Sequence, residues 1–235
     1  MLLLPAGHAR RYYWGMNMEL GGIAGHLARP GGSGPWPALI VIHEWWGLDD
    51  QTRRIADRFA GAGYLAFAPD LFGGEFAALG DNAKATNLVQ KYAATAGQSL
   101  VAIYDALREL PDAGAKVGSV GFCFGGRMSL LLGMNRPLDA VCTFYGGGMQ
   151  ALFDELHRLK APVLGLFGDA DLSIPAGTIE KFGQILAKNG NVHEIKVYPD
   201  SGHAFFRDAD PQAYRPAASE DAWRKATGFF AAHLR

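Results

Sequence analysis

The sequence predicts an α/β fold in which a mostly parallel sheet is covered by helices on both faces. The first observation is that apolar runs of strand length alternate with segments of helical spacing. The second is that these runs are apolar at successive positions, as in strands buried on both sides. A third is length: 235 residues suit one large domain, and no repeat or low-complexity linker divides 1–235.

The elements follow in chain order. Residues 11–28 are expected to supply one or two antiparallel edge strands, and the Gly- and Pro-rich stretch 29–38 is expected to be a hairpin or loop. Buried strands are predicted at 38–43, 64–70, 116–121, 139–146, 161–169 and 193–199. Helices are predicted at 49–63, at 83–110 with Gly97 as a candidate break, from about 124, from about 176, and at 219–233. In such sheets the functional loops follow the carboxyl ends of the strands.

Composition excludes several classes of function. A formal net charge of −1 gives no electrostatic case for nucleic acid or an anionic membrane. No stretch approaches the roughly 18 apolar residues of a membrane span, and the short apolar run 1–4 precedes basic residues, the reverse order of a secretory signal. Two cysteines do not make a disulfide framework, so we expect a cytoplasmic protein. The expected assembly is a monomer or small homo-oligomer. Metal-ligand and nucleotide-binding spacings are absent from the sequence, so we expect no metal and no cofactor.

One cysteine stands where a nucleophile would stand. Residues 121–126 read GFCFGG, the pattern G-x-C-x-G-G, between a predicted strand and a predicted helix. A nucleophile on so tight a turn needs neighbours without Cβ, because adjacent chains approach closely. The turn places Cys123 at a helix N-terminus, whose partial positive charge favours a thiolate. The N–H of Phe124 is then a candidate oxyanion donor. A small buried cysteine in a Gly-rich turn is the alternative interpretation.

A cysteine nucleophile needs a base and a group that orients the base. His203 is the preferred base, because it follows the last predicted strand in a turn marked by Pro, Asp, Ser and Gly. Asp171 is the preferred acid and Asp169 the alternative, since Asp169 is better placed to bond its own turn. His43 ends a buried strand and is expected to be structural or to contact a site residue without taking part in the reaction. The remaining histidines are expected to be exposed: His8, His26, His157, His193 and His233.

The chain order of these three residues, Cys123, Asp171 and His203, is nucleophile, acid, base, as in α/β-hydrolases. With the stretches VIHEWWGL (41–48), APDLF (68–72), FYGGG (144–148), GDADLSIP (168–175) and SGHAFFR (201–207), the sequence resembles the dienelactone hydrolase family from about residue 36 to its last helix. That resemblance implies an α/β-hydrolase fold with cysteine as nucleophile. It also implies an oxyanion hole formed by the N–H groups of Phe124 and Trp45.

The resemblance assigns two more charged residues and a tyrosine. It implies that Glu44 pairs with Arg207 at rest and that an anionic substrate takes over Arg207, which frees Glu44 to accept the thiol proton. Tyr145 matches a pocket position of the family. Family members that act on dienelactone use a second arginine after the PDL stretch, whereas residues 73–88 contain none. Lys84 is the candidate replacement there, although a lysine lacks the bidentate fork of arginine.

The sequence therefore predicts a hydrolase of small esters or lactones that acts through a thioester on Cys123. The expected partner is a small-molecule ester or lactone. A cap insertion for a peptide or lipid groove is not evident, so a peptidase or a broad carboxylesterase is a weaker alternative. A different class also stays open: the same scaffold retained as a binding protein or thiol redox sensor. Aromatic residues that could line a small apolar pocket are Trp45, Trp46, Phe72, Phe76, Phe122, Tyr145, Phe205 and Phe206.

Overall fold

Eight strands form one sheet in the computed structural model, which describes residues 14–235. In chain order the strands are β1 (Trp14–Leu20), β2 (Ile23–Arg29), β3 (Trp36–Ile42), β4 (Leu65–Pro69), β5 (Ala113–Phe122), β6 (Ala140–Phe144), β7 (Val163–Gly168) and β8 (His193–Tyr198). Their spatial order is β1-β2-β4-β3-β5-β6-β7-β8. The pairs from β4 to β8 are parallel, while β1 with β2 and β2 with β4 are antiparallel. The expected α/β-hydrolase fold with antiparallel edge strands is confirmed.

The helices connect these strands, as parallel pairing requires. They are α1 (Asp50–Gly61), α2 (Asn82–Arg108), α3 (Phe124–Asn135), a 3-10 helix (Met149–Arg158), α4 (Thr178–Lys188) and α5 (Pro216–Leu234). Asp49 caps α1 by accepting a hydrogen bond from the N–H of Thr52 at 2.9 Å. None of the helices within residues 14–235 combines the length and the apolar character needed to cross a membrane.

Two local differences from the sequence-based expectation have physical causes. Helix α2 continues through Gly97, where an added Cβ would lie 3.1 Å from Leu131 Cδ2; the glycine permits close packing of α2 on α3 and does not break the helix. The 3-10 helix occupies a stretch for which no element was predicted. Its Met149, Phe153 and Leu156 are buried, so packing of a short apolar face accounts for it better than intrinsic propensity.

The core lies on both faces of the sheet, and the central strands are buried throughout, which is the cause of their unbroken apolar sequences. At the carboxyl ends of β3, β5, β6, β7 and β8, the following loops carry polar side chains that are buried or half-buried. These loops bring together residues that are far apart in the sequence, and they form the candidate site.

Candidate active site

The turn between β5 and α3 is as tight as the pattern predicts. Cys123 has a φ of 52° and a ψ of −114°, in a region that residues with a Cβ rarely adopt. Its N–H donates to the carbonyl of Phe144 at 3.1 Å, and its own carbonyl accepts from the N–H of Gly147 at 3.2 Å. A Cβ at Gly121 would lie 1.9 Å from the carbonyl oxygen of Gly125, so only glycine fits there. Cys123 is half-buried and forms no disulfide bond.

His203 is held by an acid and a hydroxyl. Its Nδ1 lies 2.7 Å from Asp171 Oδ2 and 2.8 Å from Ser173 Oγ. Ser173 in turn donates to Asp171 Oδ1 through both its hydroxyl, at 2.5 Å, and its N–H, at 2.9 Å. With Nδ1 engaged, Nε2 is the nitrogen left for proton exchange. Burial raises the pKa of Asp171, but the hydrogen bonds from His203 and Ser173 outweigh burial, and the net direction is down.

The imidazole and the thiol share one neighbour. The position that a Cβ would take at Gly147 lies 3.7 Å from Cys123 Sγ and 3.9 Å from His203 Cε1. Burial lowers the pKa of His203, whereas the Asp171 carboxylate and the adjacent Cys123 raise it, to about 10. A histidine whose charged form is favoured by a neighbouring cysteine is placed to exchange a proton with that thiol, as the base of a cysteine–histidine pair does.

Glu44 lies behind this pair in a buried cluster of charges. Its Oε1 accepts from the Tyr145 hydroxyl at 3.0 Å, and its Oε2 accepts from Arg207 Nη1 at 3.0 Å. Arg207 Nη2 reaches a second carboxylate, Asp49 Oδ2, at 2.6 Å. Burial raises the pKa of Glu44, although Arg207 and His203 act in the opposite direction. Glu44 is therefore an acid whose proton affinity is increased next to the thiol–imidazole pair.

Two backbone N–H groups are available for an oxyanion. Within residues 14–235, the N–H of neither Phe124 nor Trp45 donates to a protein acceptor. Phe124 begins α3, so the helix dipole adds to the field of its N–H. Trp45 follows Glu44 on the loop after β3 and is half-buried. The sequence predicts that the N–H groups of Phe124 and Trp45 form an oxyanion hole, and that role stays a prediction.

His43 is structural in this geometry. Its Nε2 accepts from the N–H of Leu71 at 3.2 Å, and its Nδ1 lies 2.6 Å from the carbonyl of Glu44, which fixes the neutral form with the proton on Nδ1. Burial lowers the pKa of His43, in agreement with that form. The imidazole thus ties the loop that carries Glu44 to the loop after β4.

Other predicted residues fall outside the cluster. Asp169 is exposed, so the structure brings Asp171 and not Asp169 to His203. Lys84 is exposed on the first turn of α2, with Nζ 5.7 Å from the ring centroid of Phe76. His26 was expected to be exposed, and this was wrong: it is buried, 2.8 Å from Asp57. His8 lies outside the described residues. Of the predicted pocket aromatics, Trp45 is half-buried and Phe76 exposed, and the buried ones belong to the core: Trp46, Phe72, Phe122, Tyr145, Phe205 and Phe206.

Sequence reasoning missed three residues. Ser173 follows Asp171 by two positions, the spacing at which a serine commonly bonds a preceding aspartate in a turn, so a local signal existed. Asp49 stands at the start of a predicted helix, which carries no information about Arg207, so its bond to Arg207 was not foreseeable. Arg127 is half-buried four residues after Cys123 and carried no signal that sets it apart from an ordinary helix residue. Within residues 14–235, no group of three or more His, Cys, Asp or Glu is placed to hold a metal ion.

The model of the dienelactone hydrolase family matches residues 23–234. The chain belongs to the dienelactone hydrolase family. A provisionally named carboxymethylenebutenolidase of Methylorubrum extorquens is 32% identical over 242 residues, covering 91% of this chain and 78% of that protein. Another with that provisional name, from Escherichia coli O157:H7, is 37% identical over 219 residues, covering 86% of this chain and 80% of its own.

Solved structures agree with this family assignment. A provisionally assigned dienelactone hydrolase of Klebsiella pneumoniae superposes with a TM-score of 0.80 at 28% identity, covering 94% of this chain and 99% of the other. The dienelactone hydrolase-like promiscuous phosphotriesterase P91, from metagenomic libraries, gives 0.86 at 24% identity, covering 95% and 99%, and shows the shared fold. This dienelactone hydrolase family member is accordingly a hydrolase of that general type.

Proposed function

We propose that the protein hydrolyses small carboxylic esters or lactones through a thioester on Cys123. The observation that supports this most directly is the arrangement of Cys123, His203 and Asp171. A strained turn exposes the thiol at a helix N-terminus, and an imidazole oriented by a 2.7 Å bond to a carboxylate lies beside it. Nucleophile, base and orienting acid are the three groups that acyl transfer requires.

In the first half of the proposed reaction, Cys123 Sγ attacks the carbonyl carbon of the substrate. The carbonyl electrons move onto oxygen, where the N–H groups of Phe124 and Trp45 hold the negative charge. When the carbonyl re-forms, the bond to the alcohol oxygen breaks, and the His203 imidazolium gives its proton to that oxygen. For a lactone, the leaving alcohol stays attached to the acyl group. The product of this half is a neutral imidazole and a thioester.

In the second half, His203 Nε2 takes a proton from water as the water oxygen attacks the thioester carbon. Collapse of the tetrahedral intermediate breaks the C–S bond and releases the carboxylic acid, and the imidazolium–thiolate pair is restored. Asp171 stabilises the charged imidazole in both halves. When the resting thiol and imidazole are both neutral, Glu44 is proposed to accept the thiol proton and return it through His203 to the leaving alcohol, while Tyr145 and Arg207 hold the Glu44 carboxylate in place.

Substitution of the nucleophile tests the proposal. Cys123→Ala should abolish turnover of aryl esters and lactones without loss of the fold, because the change leaves only a small space at a loop. Cys123→Ser should be far slower than wild type, since the hydroxyl is much less acidic than the thiol. Steady-state rates and circular dichroism check both. Wild-type rates in Cys123→Ala would exclude the assignment, and ready alkylation of Cys123 without any ester turnover would favour the redox-sensor alternative.

A further inference from the structure

Arg127 lies four residues after Cys123, against the loop that follows β6. It belongs to the first turn of α3, and its backbone N–H donates to the carbonyl of Cys123 at 3.3 Å. Its Cζ lies 5.7 Å from the ring centroid of Phe124, and its Nη1 lies 3.0 Å from the position of a Cβ at Gly148. The preceding residue, Gly147, is the one that borders both Cys123 Sγ and His203. The guanidinium therefore adjoins the loop that forms one wall of the site.

The charge of Arg127 is not compensated. Within residues 14–235 its side chain takes part in none of the ion pairs, and its Nε is buried without a hydrogen-bond partner. A half-buried cation without a counter-ion is costly to the fold, because partial burial removes water that nothing replaces. An anion that arrives with the substrate would supply the missing partner.

The other cations near the site are less suited to receive an anion. Arg207 is buried and already bonds two carboxylates, Glu44 and Asp49. Lys84 is exposed on α2 and lies against Phe76. Among these three, Arg127 combines a position against Gly148, next to the glycine that borders Cys123, with a guanidinium fork that no acid of residues 14–235 occupies. A guanidinium fork matches a carboxylate through two parallel N–H···O bonds.

We propose that Arg127 is a specificity-determining residue that binds a carboxylate carried by the substrate, so that the enzyme prefers anionic esters or lactones over neutral ones of the same shape. The inference rests on the proposed function, because it assigns a second contact to the molecule that Cys123 attacks. It also accounts for the missing arginine in residues 73–88: the cation that holds the substrate carboxylate comes from α3 and not from the loop after β4.

Paired alkylating reagents test the cation without requiring ester turnover. Iodoacetate and iodoacetamide differ by one charge, and each forms a Cys123 Sγ–carbon bond with loss of iodide. The measurement is the ratio of the two alkylation rates, by mass spectrometry of the Cys123 peptide; the other cysteine, Cys142, is fully buried. For wild type, we expect the iodoacetate rate divided by the iodoacetamide rate to exceed the same ratio measured for the thiol of glutathione. Arg127→Gln should lower the ratio roughly tenfold to a hundredfold, the range of a charged hydrogen bond.

Two further variants keep this test decisive. Arg127→Lys keeps the charge without the fork and should give an intermediate ratio, even if the glutamine variant folds poorly. Arg224→Gln removes an exposed arginine of α5 whose one ion-pair partner among residues 14–235 is Asp221, and it should leave the ratio at the wild-type value. If Arg127 served only to stabilise the thiolate, both reagents would slow by the same factor and the ratio would not change. That outcome would overturn the proposal.

Turnover separates this inference from the function on which it rests. The substrates are dienelactone and its neutral carboxamide, with lactone opening followed by absorbance. Wild type should favour the carboxylate in kcat/KM by at least about tenfold, and Arg127→Gln should lose that preference. If wild type and Arg127→Gln both hydrolyse the two lactones and show the same preference between them, the role of Arg127 is overturned and the proposed hydrolase activity is retained. Turnover of neither, with charge-dependent alkylation intact, would overturn the hydrolase and leave the anion site.

Discussion

Two arginines border the candidate site, and their surroundings are opposite. Arg207 is buried and bonds Glu44 at 3.0 Å and Asp49 at 2.6 Å; burial lowers its pKa, but the two carboxylates reverse that shift, and the net direction is up. Arg127 is half-buried and pairs with no acid of residues 14–235; burial lowers its pKa, and only Cys123 acts against that shift. The same residue type thus bonds two carboxylates at one position and pairs with no acid of residues 14–235 at the other.

The two arginines therefore suit different roles: Arg207 positions a carboxylate of the protein, and Arg127 can bind an anion of the substrate. A buried cation that bonds two carboxylates holds them in one geometry, and here it fixes Glu44, whose pKa is affected by the nearby His203. A guanidinium group that bonds no acid is free to form a bidentate pair with a carboxylate, which is the strongest hydrogen-bonded pair open to it. Substitutions at the two arginines and at their neighbours should therefore have different effects on rate and on stability.

The largest effect should come from His203 and Asp171, the histidine and the aspartate proposed to act on the Cys123 thiol. His203→Ala and Asp171→Asn should each lower kcat by about 10²- to 10⁴-fold, through loss of the general base and through misorientation of the imidazole. Asp169→Asn, at an exposed aspartate two residues away, is the matched control and should be mild. If Asp169→Asn were the damaging change, the acid would have to be reassigned.

A large difference in stability should separate the two arginines. Arg207→Met leaves two carboxylates without their cation and should lower the free energy of unfolding by about 3–5 kcal/mol. Arg127→Met removes a cation that has no partner and should cause no loss or a small gain. Urea denaturation of both variants gives the comparison. Equal losses would show that the surroundings of the two guanidinium groups do not differ energetically.

The two carboxylates of Arg207 should differ in their effect on rate. Glu44→Gln and Asp49→Asn each remove one charge from the same arginine, but only Glu44 also bonds Tyr145 and lies near His203. If Glu44 accepts the thiol proton, its glutamine variant should slow single-turnover acylation on the order of 10²-fold. The asparagine variant should cause a much smaller loss. Similar losses would make Glu44 a structural carboxylate.

The last effect is a pH dependence of stability. The pKa of His203 is raised from 6.5 to about 10, so the folded protein holds a proton that the unfolded chain releases between these values. The stabilisation is complete below about pH 6.5 and declines as pH rises toward 10. The unfolding free energies of wild type and His203→Gln should therefore converge over that interval. Arginine does not titrate there, so Arg127→Gln should give a curve parallel to that of wild type.

Local sequence patterns were sufficient for the parts of the site that depend on local geometry. The G-x-C-x-G-G turn gave the strained Cys123 because the steric requirement lies within six residues. The placement of His203 and Asp171 followed from their turns at the ends of neighbouring strands. Buried strands were predicted because both faces are covered, which leaves unbroken apolar runs.

Features that depend on distant neighbours could not be predicted from these patterns. The bond from Arg207 to Asp49 joins residues 158 positions apart, and the sequence shows Asp49 only at the start of a predicted helix. Whether an acid pairs with the Arg127 guanidinium depends on where every acidic side chain lies in the folded protein. The continuity of α2 through Gly97 depends on its packing against α3. Each is a result of tertiary structure, for which a single sequence without an alignment gives no direct signal.

The most direct test of the central claim is to trap the thioester. Wild type and His203→Ala would be mixed with a short-chain aryl ester, quenched in acid within the first turnover, and digested for mass spectrometry. The account predicts one acyl group on the peptide that contains Cys123, and an intermediate that persists longer in His203→Ala because water is no longer activated. An acyl group on another residue, or turnover at the wild-type rate with Cys123 unmodified throughout, would contradict it.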